Sequence, residues 1–253
     1  STTVGYIVRN KLVPVFVDVE EGTYCINENK IKDLITNKTK AIVAPHLMGN
    51  IVNWEKLAPM LKKKGILIIE DSADTLGATH KNKSTGHHAD ISITSFYGSH
   101  IISCAGNGGM FLTNNKGFFN KAKVLRSWGR MSTLIKDSEN INKRLGIKLK
   151  GFDYDRKFVF SEAGYNIEPS EIGASFRLVQ LDKFKKFNTL RNRNFKLHQN
   201  FFKKLNNHFI VPKIDKSVKT NFLAYPIILK NNVKFTRKEL QIYLEKHNIQ
   251  TRP

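Results

Sequence analysis

Cysteine is nearly absent from the 253 residues: Cys25 and Cys104 are the only two, and they lie far apart in sequence. Two thiols build neither a disulfide framework nor a four-cysteine metal site, and a reducing cytoplasm is the simplest setting for such a chain. No run of eighteen apolar residues occurs, which excludes a membrane-spanning helix within the sequence. Internal repeats and low-complexity linkers are also missing. Acidic residues are scarce, 21 Asp and Glu against 42 Lys and Arg, for a formal net charge of +21. Such an excess fits an anionic partner, whether nucleic acid, membrane surface or phosphorylated substrate. It fits better a lysine-rich composition spread over every solvated face, with a phosphate-bearing small molecule the next reading. Lysines here decorate nearly every segment without an arginine-rich cluster or a nucleic-acid module signature, so neither nucleic acid nor membrane is expected as a partner.

What is present is 40% hydrophobic content, enough for a sizeable core. The chain opens on "STTVGYIVRNKLVPVFVDVE", with Ser1 rather than Met first and no basic-then-apolar leader, and it stops at "NIQTRP", which reads as a strand. Both ends are therefore expected to be cut from a longer protein. The first half alternates β-branched runs with amphipathic helices. A strand is expected over residues 14–19, then a helix capped by Asn27 with Ile31, Leu34 and Ile35 on one face. "KAIVAP" (40–45) is the next strand, and Asn53 caps a helix carrying Trp54, Leu57 and Leu61, stopped by Gly65. "ILIIED" (66–71) is a continuous apolar run, the mark of a strand covered on both faces. This βαβαβ order predicts an α/β fold with a largely parallel sheet.

A small hairpin, a strand at 91–96, a strand in "GMFLTNN" and a helix near 117–129 follow. Residues 131–160 read as a polar, exposed insertion. A long helix or broken pair runs from Ser170 to about Asn206, then a strand in "NFLAYPIIL" and a helix opened by a Thr236–Glu239 capping box with Phe235 placed to staple onto Leu240. The last part reads as a small α+β domain.

Several residues carry possible chemistry. Asp71 ends an apolar strand, where open parallel sheets bind ligands, and Asp74 follows three positions on. A carboxylate there is either functional or a loop acid satisfied by backbone amides. Ser95 ends the next strand and reaches the same crevice. In "SFYGSHIISCAGNGGM", the glycines resemble a phosphate cradle, but a strand rather than a helix follows them, which argues against a P-loop. They serve better for positive φ and close backbone approach. His100 is placed to act as a general base near neutral pH, or to be a satisfied structural histidine. The adjacent histidines of "GHHAD" do not converge on one ion, so no metal is expected, and His46 is uninterpretable alone.

Taken in order, "PVFVDVE", "TKAIVAPHLMGN", "ILIIEDSADTLGA", "DISITSF", "LRSWGR", "GYNIEPSEIGASFRLVQLDKF" and "NIQTRP" resemble the DegT/DnrJ/StrS family. These are pyridoxal-phosphate-dependent enzymes acting on nucleotide-linked keto sugars. The resemblance implies the fold type I aspartate aminotransferase architecture, a PLP-dependent transferase fold. Residues 1–180 would form part of the large cofactor-binding domain and 181–253 part of the small C-terminal one. By resemblance, Asp71 matches the aspartate that pairs with the cofactor's pyridine nitrogen and Ser95 a phosphate-contacting serine. Asn166 matches an asparagine reaching the cofactor phosphate of a neighbouring subunit, which implies a homodimer. Asp74 stands where the family has glutamine near the cofactor's 3-hydroxyl. Arg126 and Arg130 lie near the substrate region, without an assigned role.

Five residues after Ser95 the family's aminotransferases carry the lysine that forms the internal Schiff base; this chain has His100. The same replacement marks the family's sugar 3-dehydrases, which use pyridoxamine 5'-phosphate and in which the histidine moves a proton as the C3 hydroxyl leaves. The resemblance thus implies a dehydratase acting on a nucleotide-linked 4-keto-6-deoxy sugar for surface polysaccharide or deoxysugar synthesis, with glutamate as a candidate amino donor. An aminotransferase using another lysine is the alternative; a non-catalytic binding remnant is a third, disfavoured by Asp71, Ser95 and Asn166. "WGRMSTLIKDSE" lacks the cysteines that hold an iron–sulfur cluster in one dehydrase branch, so no cluster is expected. The family's "GEGG" reads "GNGG", one residue further from the histidine. The family's phosphate loop and ring-stacking aromatic fall upstream of Ser1, so the fragment by itself is expected to be inactive.

Overall fold

The computed structural model describes residues 2–252. It begins with helix α1 (Thr2–Arg9), and α2 (Glu28–Leu34) follows after an extended segment, capped by the Asn27 side chain on the Asn29 amide. Strand β1 (Ala41–Pro45), helix α3 (Trp54–Lys63) and strand β2 (Leu67–Asp71) form the first crossover. A two-residue hairpin, β3 (Thr79–His80) with β4 (Lys83–Ser84), leads to β5 (Ile91–Ser95) and β6 (Gly109–Leu112). The main sheet runs β1-β2-β5-β6. Its first three strands are parallel, with Ile42 opposite Ile68 and Asp71 opposite Ile93, and β6 closes the edge antiparallel. The parallel core is the sheet that the alternation of apolar runs and amphipathic helices predicts; the antiparallel edge comes from the tight return of the chain through the loop after β5.

The larger core lies between this sheet and α2 and α3. Trp54, Leu57, Ala58 and Leu61 recur along one face of α3 and are buried against Ala44, Ile66, Ile68, Ile31 and Cys25. Burying a side chain such as Leu61 completely is worth about 1.5–3 kcal/mol, and truncating it costs more because a cavity remains. Asn53 stands at the N-cap of α3, but its side chain makes no cap bond. Its amide instead donates to Glu28 Oε1 at 2.9 Å, joining α3 to α2.

The remaining elements pack around this sheet. Helix α4 (Lys116–Arg126) is capped by Asn115 and ends three residues short of the expected 129. The polar stretch after it holds a short helix, α5 (Ile141–Arg144), and an antiparallel hairpin, β7 (Ile147–Leu149) with β8 (Phe152–Tyr154). Its two turn residues, Lys150 and Gly151, both have positive φ, as a tight primed turn requires. Helix α6 (Glu171–Lys203) is one unbroken rod of 33 residues, so the expected domain boundary at 180/181 falls inside it. Strand β9 (Phe209–Ile210) pairs with β11 (Ile228–Leu229), while β10 (Val218–Lys219) returns to pair with β3. Helix α7 (Arg237–Lys246) carries the complete Thr236–Glu239 capping box.

Two expected strands are absent. Residues 14–19 form only an isolated bridge at Val19, and Val13, Val15 and Phe16 are exposed. β-branched residues favour extended backbone, but a strand needs a neighbour to complete its ladder, and no described segment supplies one here. Residues 249–252 are likewise not a strand, and Pro253 lies outside the described residues.

Candidate active site

The carboxyl ends of β2 and β5 lie side by side, which brings Asp71 and Ser95 to one rim of the sheet. Alternation along β2 sends Asp71 and Glu70 to opposite faces. On the Asp71 face sits α1: Thr3 Oγ1 donates to Asp71 Oδ2 at 3.0 Å, and the Ala73 amide donates to Oδ1 at 3.2 Å. Tyr6, one turn after Thr3, has its hydroxyl pKa raised by burial and by the charge of Asp71. The carboxylate is therefore oriented rather than free.

Ser95 Oγ accepts the Tyr97 amide at 3.2 Å, and the chain turns back so that the His100 amide donates to the Tyr97 carbonyl. The loop from 97 to 107 is closed by Phe96 N–H to the Gly108 carbonyl and Cys104 N–H to the Phe96 carbonyl. Gly106 adopts φ +147°, and a Cβ on Gly108 would fall 2.9 Å from Cys104 Sγ. The glycines of "GNGG" thus shape and pack a loop that leads into β6, as expected from the sequence, and do not open a helix. Arg177 of α6 lies 4.6 Å above the buried Phe96 ring, and the loop borders an open cleft of about 450 Å³ lined by His100, Ile101, Gln180, Phe187 and Arg191.

Within this loop the imidazole of His100 lies edge-on to Tyr97. Its Nε2 is 3.8 Å from Asp74 Oδ1, and its Nδ1 is buried without a partner among the described residues. Asp74 in turn accepts the Met48 amide on Oδ2 at 3.1 Å. Burial raises the Asp74 carboxyl; the Met48 N–H and His100 oppose this, and Asp71 adds to it. Asp74 is thus close enough to His100 and to Asp71 to feel the charge of both, with Ser95 at the adjoining strand end.

Asn166 stands apart from these four. Its backbone bridges to Ser127 and its side chain is exposed. The bridge belongs to a crossing of "LRSWGR" over "GYN", in which Trp128 N–H bonds the Tyr165 carbonyl. Two glycines make the crossing possible: a Cβ on Gly129 would lie 1.8 Å from the Glu162 oxygen, and one on Gly164 2.2 Å from the Gly129 nitrogen. Arg126 pairs with Glu168 at 3.0 Å, and Arg130 stacks over Trp128 at 4.5 Å.

Sequence reasoning left His46 without a role and passed over Glu70, and the structure joins the two. His46 Nε2 lies 3.1 Å from Glu70 Oε2, both fully buried, while its Nδ1 accepts the Val52 amide. An accepting Nδ1 places the imidazole proton on Nε2, facing the carboxylate. Burial works to raise the Glu70 carboxyl, but His46, Ser72 and Ser92 outweigh it and hold it below the ordinary glutamate range. An acid inside "ILIIED" was the available signal, because a charge in an apolar strand demands partners.

A parallel sheet with an oriented acid, a hydroxyl and a histidine at its carboxyl rim is the arrangement in which open α/β proteins bind ligands beyond their strand ends. The chain belongs to the DegT/DnrJ/EryC1/StrS aminotransferase family, whose model matches residues 1–253. It is 33% identical over 256 residues to the dTDP-4-dehydro-2,6-dideoxy-D-glucose 3-dehydratase of Saccharopolyspora spinosa, covering 99% of this chain and 54% of that protein. It is 32% identical over 254 residues to the lipopolysaccharide biosynthesis protein RfbH of Salmonella typhimurium, covering 99% and 58%. Among solved structures, GDP-4-keto-6-deoxy-D-mannose-3-dehydratase of E. coli with bound hydrated PLP superposes with a TM-score of 0.86 at 26% identity, covering all of this chain and 63% of that one. The fold is therefore that of the fold type I aminotransferases. The chain spans between about half and two thirds of the length of these relatives.

Proposed function

We propose that the protein containing this chain is a pyridoxamine- or pyridoxal-phosphate-dependent enzyme that removes the C3 hydroxyl from a nucleotide-linked 4-keto-6-deoxy sugar. The observation that carries the reading is His100 itself. It occupies the loop after Ser95 where the resemblance puts a Schiff-base lysine.

The residues present fit the cofactor. Asp71, its carboxylate held by Thr3 and Ala73, would pair with the ring nitrogen. The Ser95 hydroxyl, and Asn166 of a second copy in a homodimer, would hold the phosphate. His100 keeps a buried nitrogen without a partner among the described residues, as expected of a group whose partner arrives with the ligand. Bound there, the cofactor supplies an electron sink for charge developing at the reacting carbon. His100 moves the proton that this requires, and a positioned imidazole is worth about 10²–10⁴ in rate. Asp74 beside it bears on the charge the imidazole acquires. The dehydratase and the lipopolysaccharide biosynthesis protein among the relatives support this substrate class and a role in polysaccharide or deoxysugar synthesis. A dehydratase structure with a trapped PLP-glutamate geminal diamine supports glutamate as amino donor, and a cytoplasmic setting is part of the same proposal.

Borohydride reduction of the full-length protein loaded with pyridoxal phosphate tests the assignment. No lysine adduct should form in the wild type, and turnover should give a deoxy sugar with released ammonia. A lysine adduct together with an amino-sugar product would replace the dehydratase by an aminotransferase, and failure to bind the cofactor would leave a binding remnant.

A further inference from the structure

Strand β2 ends in two adjacent acids, and only Asp71 belongs to the site proposed above. Glu70 faces the other way, 1% exposed, and its ligands come from three separate segments. Ser72 Oγ, just past β2, donates to Oε1 at 2.5 Å, and Ser92 Oγ of β5 donates to the same oxygen at 3.2 Å. His46, in the turn after β1, faces Oε2 at 3.1 Å. With His46 Nδ1 accepting the Val52 amide, these are neutral donors around a buried anion. Apolar side chains of similar volume would fill such a place at least as stably, so packing alone does not account for the pair.

The turn that Glu70 grips is the one that reaches the site. The His46 amide donates to the Asp71 carbonyl at 2.9 Å, and two residues later the Met48 amide donates to Asp74 Oδ2 at 3.1 Å. Met48 holds this direction with φ +58°, a conformation that a non-glycine residue keeps only where its surroundings over-determine it. Gly49 beside it has φ +104°, with Phe222 packed 3.1 Å from where a Cβ would stand. The other oxygen of Asp74 faces His100. One path therefore runs from Glu70 through His46 and the Met48 amide to Asp74 and the imidazole.

We infer that Glu70 and His46 are positioning residues for this site, fixing the turn whose Met48 amide holds the Asp74 carboxylate against His100. The rate consequences rest on the proposed function; the structural link does not.

The test uses the full-length protein and the variant E70Q, which keeps size and shape but replaces the anion. Amide exchange at Met48 should accelerate at least tenfold while α3 amides keep their protection. In the cofactor-loaded protein kcat should fall about tenfold with KM for the sugar unchanged. The double variant E70Q/D74N should be no slower than D74N, because both changes act through one carboxylate. S92A, which removes a single donor, should show the same pattern more weakly and decides the matter if E70Q does not fold. Unchanged Met48 exchange, or losses in E70Q and D74N that simply add, would overturn the inference. A wild type without turnover would refute the proposed function alone, since Met48 exchange still reports on the positioning.

Discussion

Thr3 and Asp71 are 68 positions apart in sequence, yet the Thr3 hydroxyl donates to the Asp71 carboxylate at 3.0 Å. The first helix is thereby fastened to the end of a central strand, and the acid is aimed before any ligand arrives. Replacing Thr3 by Val keeps the shape and deletes the bond. A hydrogen bond to a charged group is worth about 1.5–3 kcal/mol, part of which water recovers at this half-buried position. Cofactor titration of the full-length T3V variant should therefore show affinity reduced about tenfold, with T3S close to wild type. Equal affinity in T3V would mean that the Ala73 amide alone orients Asp71.

Glu70 links stability to pH with a definite sign. Its folded pKa lies below the ordinary value of 4.5, so its contribution is fully present above 4.5 and is lost as pH falls through the lower folded value. Asp74, raised by burial, works in the opposite direction and is relieved by acid. Melting temperatures of wild type and E70Q should differ most near pH 7 and converge below pH 4.5. A gap that stays constant through that range would show that Glu70 is not held as an anion.

The crossing of Gly129 and Gly164 has no room for a methyl group. G129A would drive a Cβ into the Glu162 carbonyl and place alanine at φ +86°; backbone strain and overpacking together should cost about 3 kcal/mol or more. G65A also meets a positive φ, +68°, but open space, and should cost about 1 kcal/mol. Denaturant titrations of the two variants check the contrast. A mild G129A would mean that the two segments separate easily.

Burial pushes the Cys25 thiol up to about 12. Thiolate is the reactive form, so iodoacetamide at pH 8 should leave Cys25 unmodified in the folded protein and label it once denaturant is added. Rapid labelling without denaturant would show that the core around Cys25, Ile31 and Trp54 opens readily.

What the sequence disclosed and what it withheld divide along a physical line. Strands β1, β2 and β5, the face of α3 and the capping box of α7 depend on periodicity and on contacts within a few residues, and all are readable from the chain. The placing of Asp71, Ser95 and His100 at one rim follows from their positions at or after strand ends. The pairing of residues 14–19 was not readable, because β-branched composition does not reveal whether a neighbour exists. Nor was the link between His46 and Glu70, 24 residues apart, since it depends on β1 and β2 running parallel in register. The left-handed backbone at Met48 leaves no mark in composition, for nothing about methionine announces it.

Helix α6 joins two distant contacts through one continuous rod. Near its start Gly173 lies so close to Cys104 that a Cβ would come within 2.8 Å of the Cys104 carbonyl oxygen, and Phe184 and Phe187 pack beside the loop carrying His100. Farther along the same rod, Phe195 stacks on Phe222 at 3.5 Å. From Gly173 to Phe195 the helix rises about 33 Å, so a tilt of about one degree moves one contact by ~0.6 Å relative to the other. The C-terminal segment carrying Phe222 and the loop carrying His100 are thereby braced against one continuous helix.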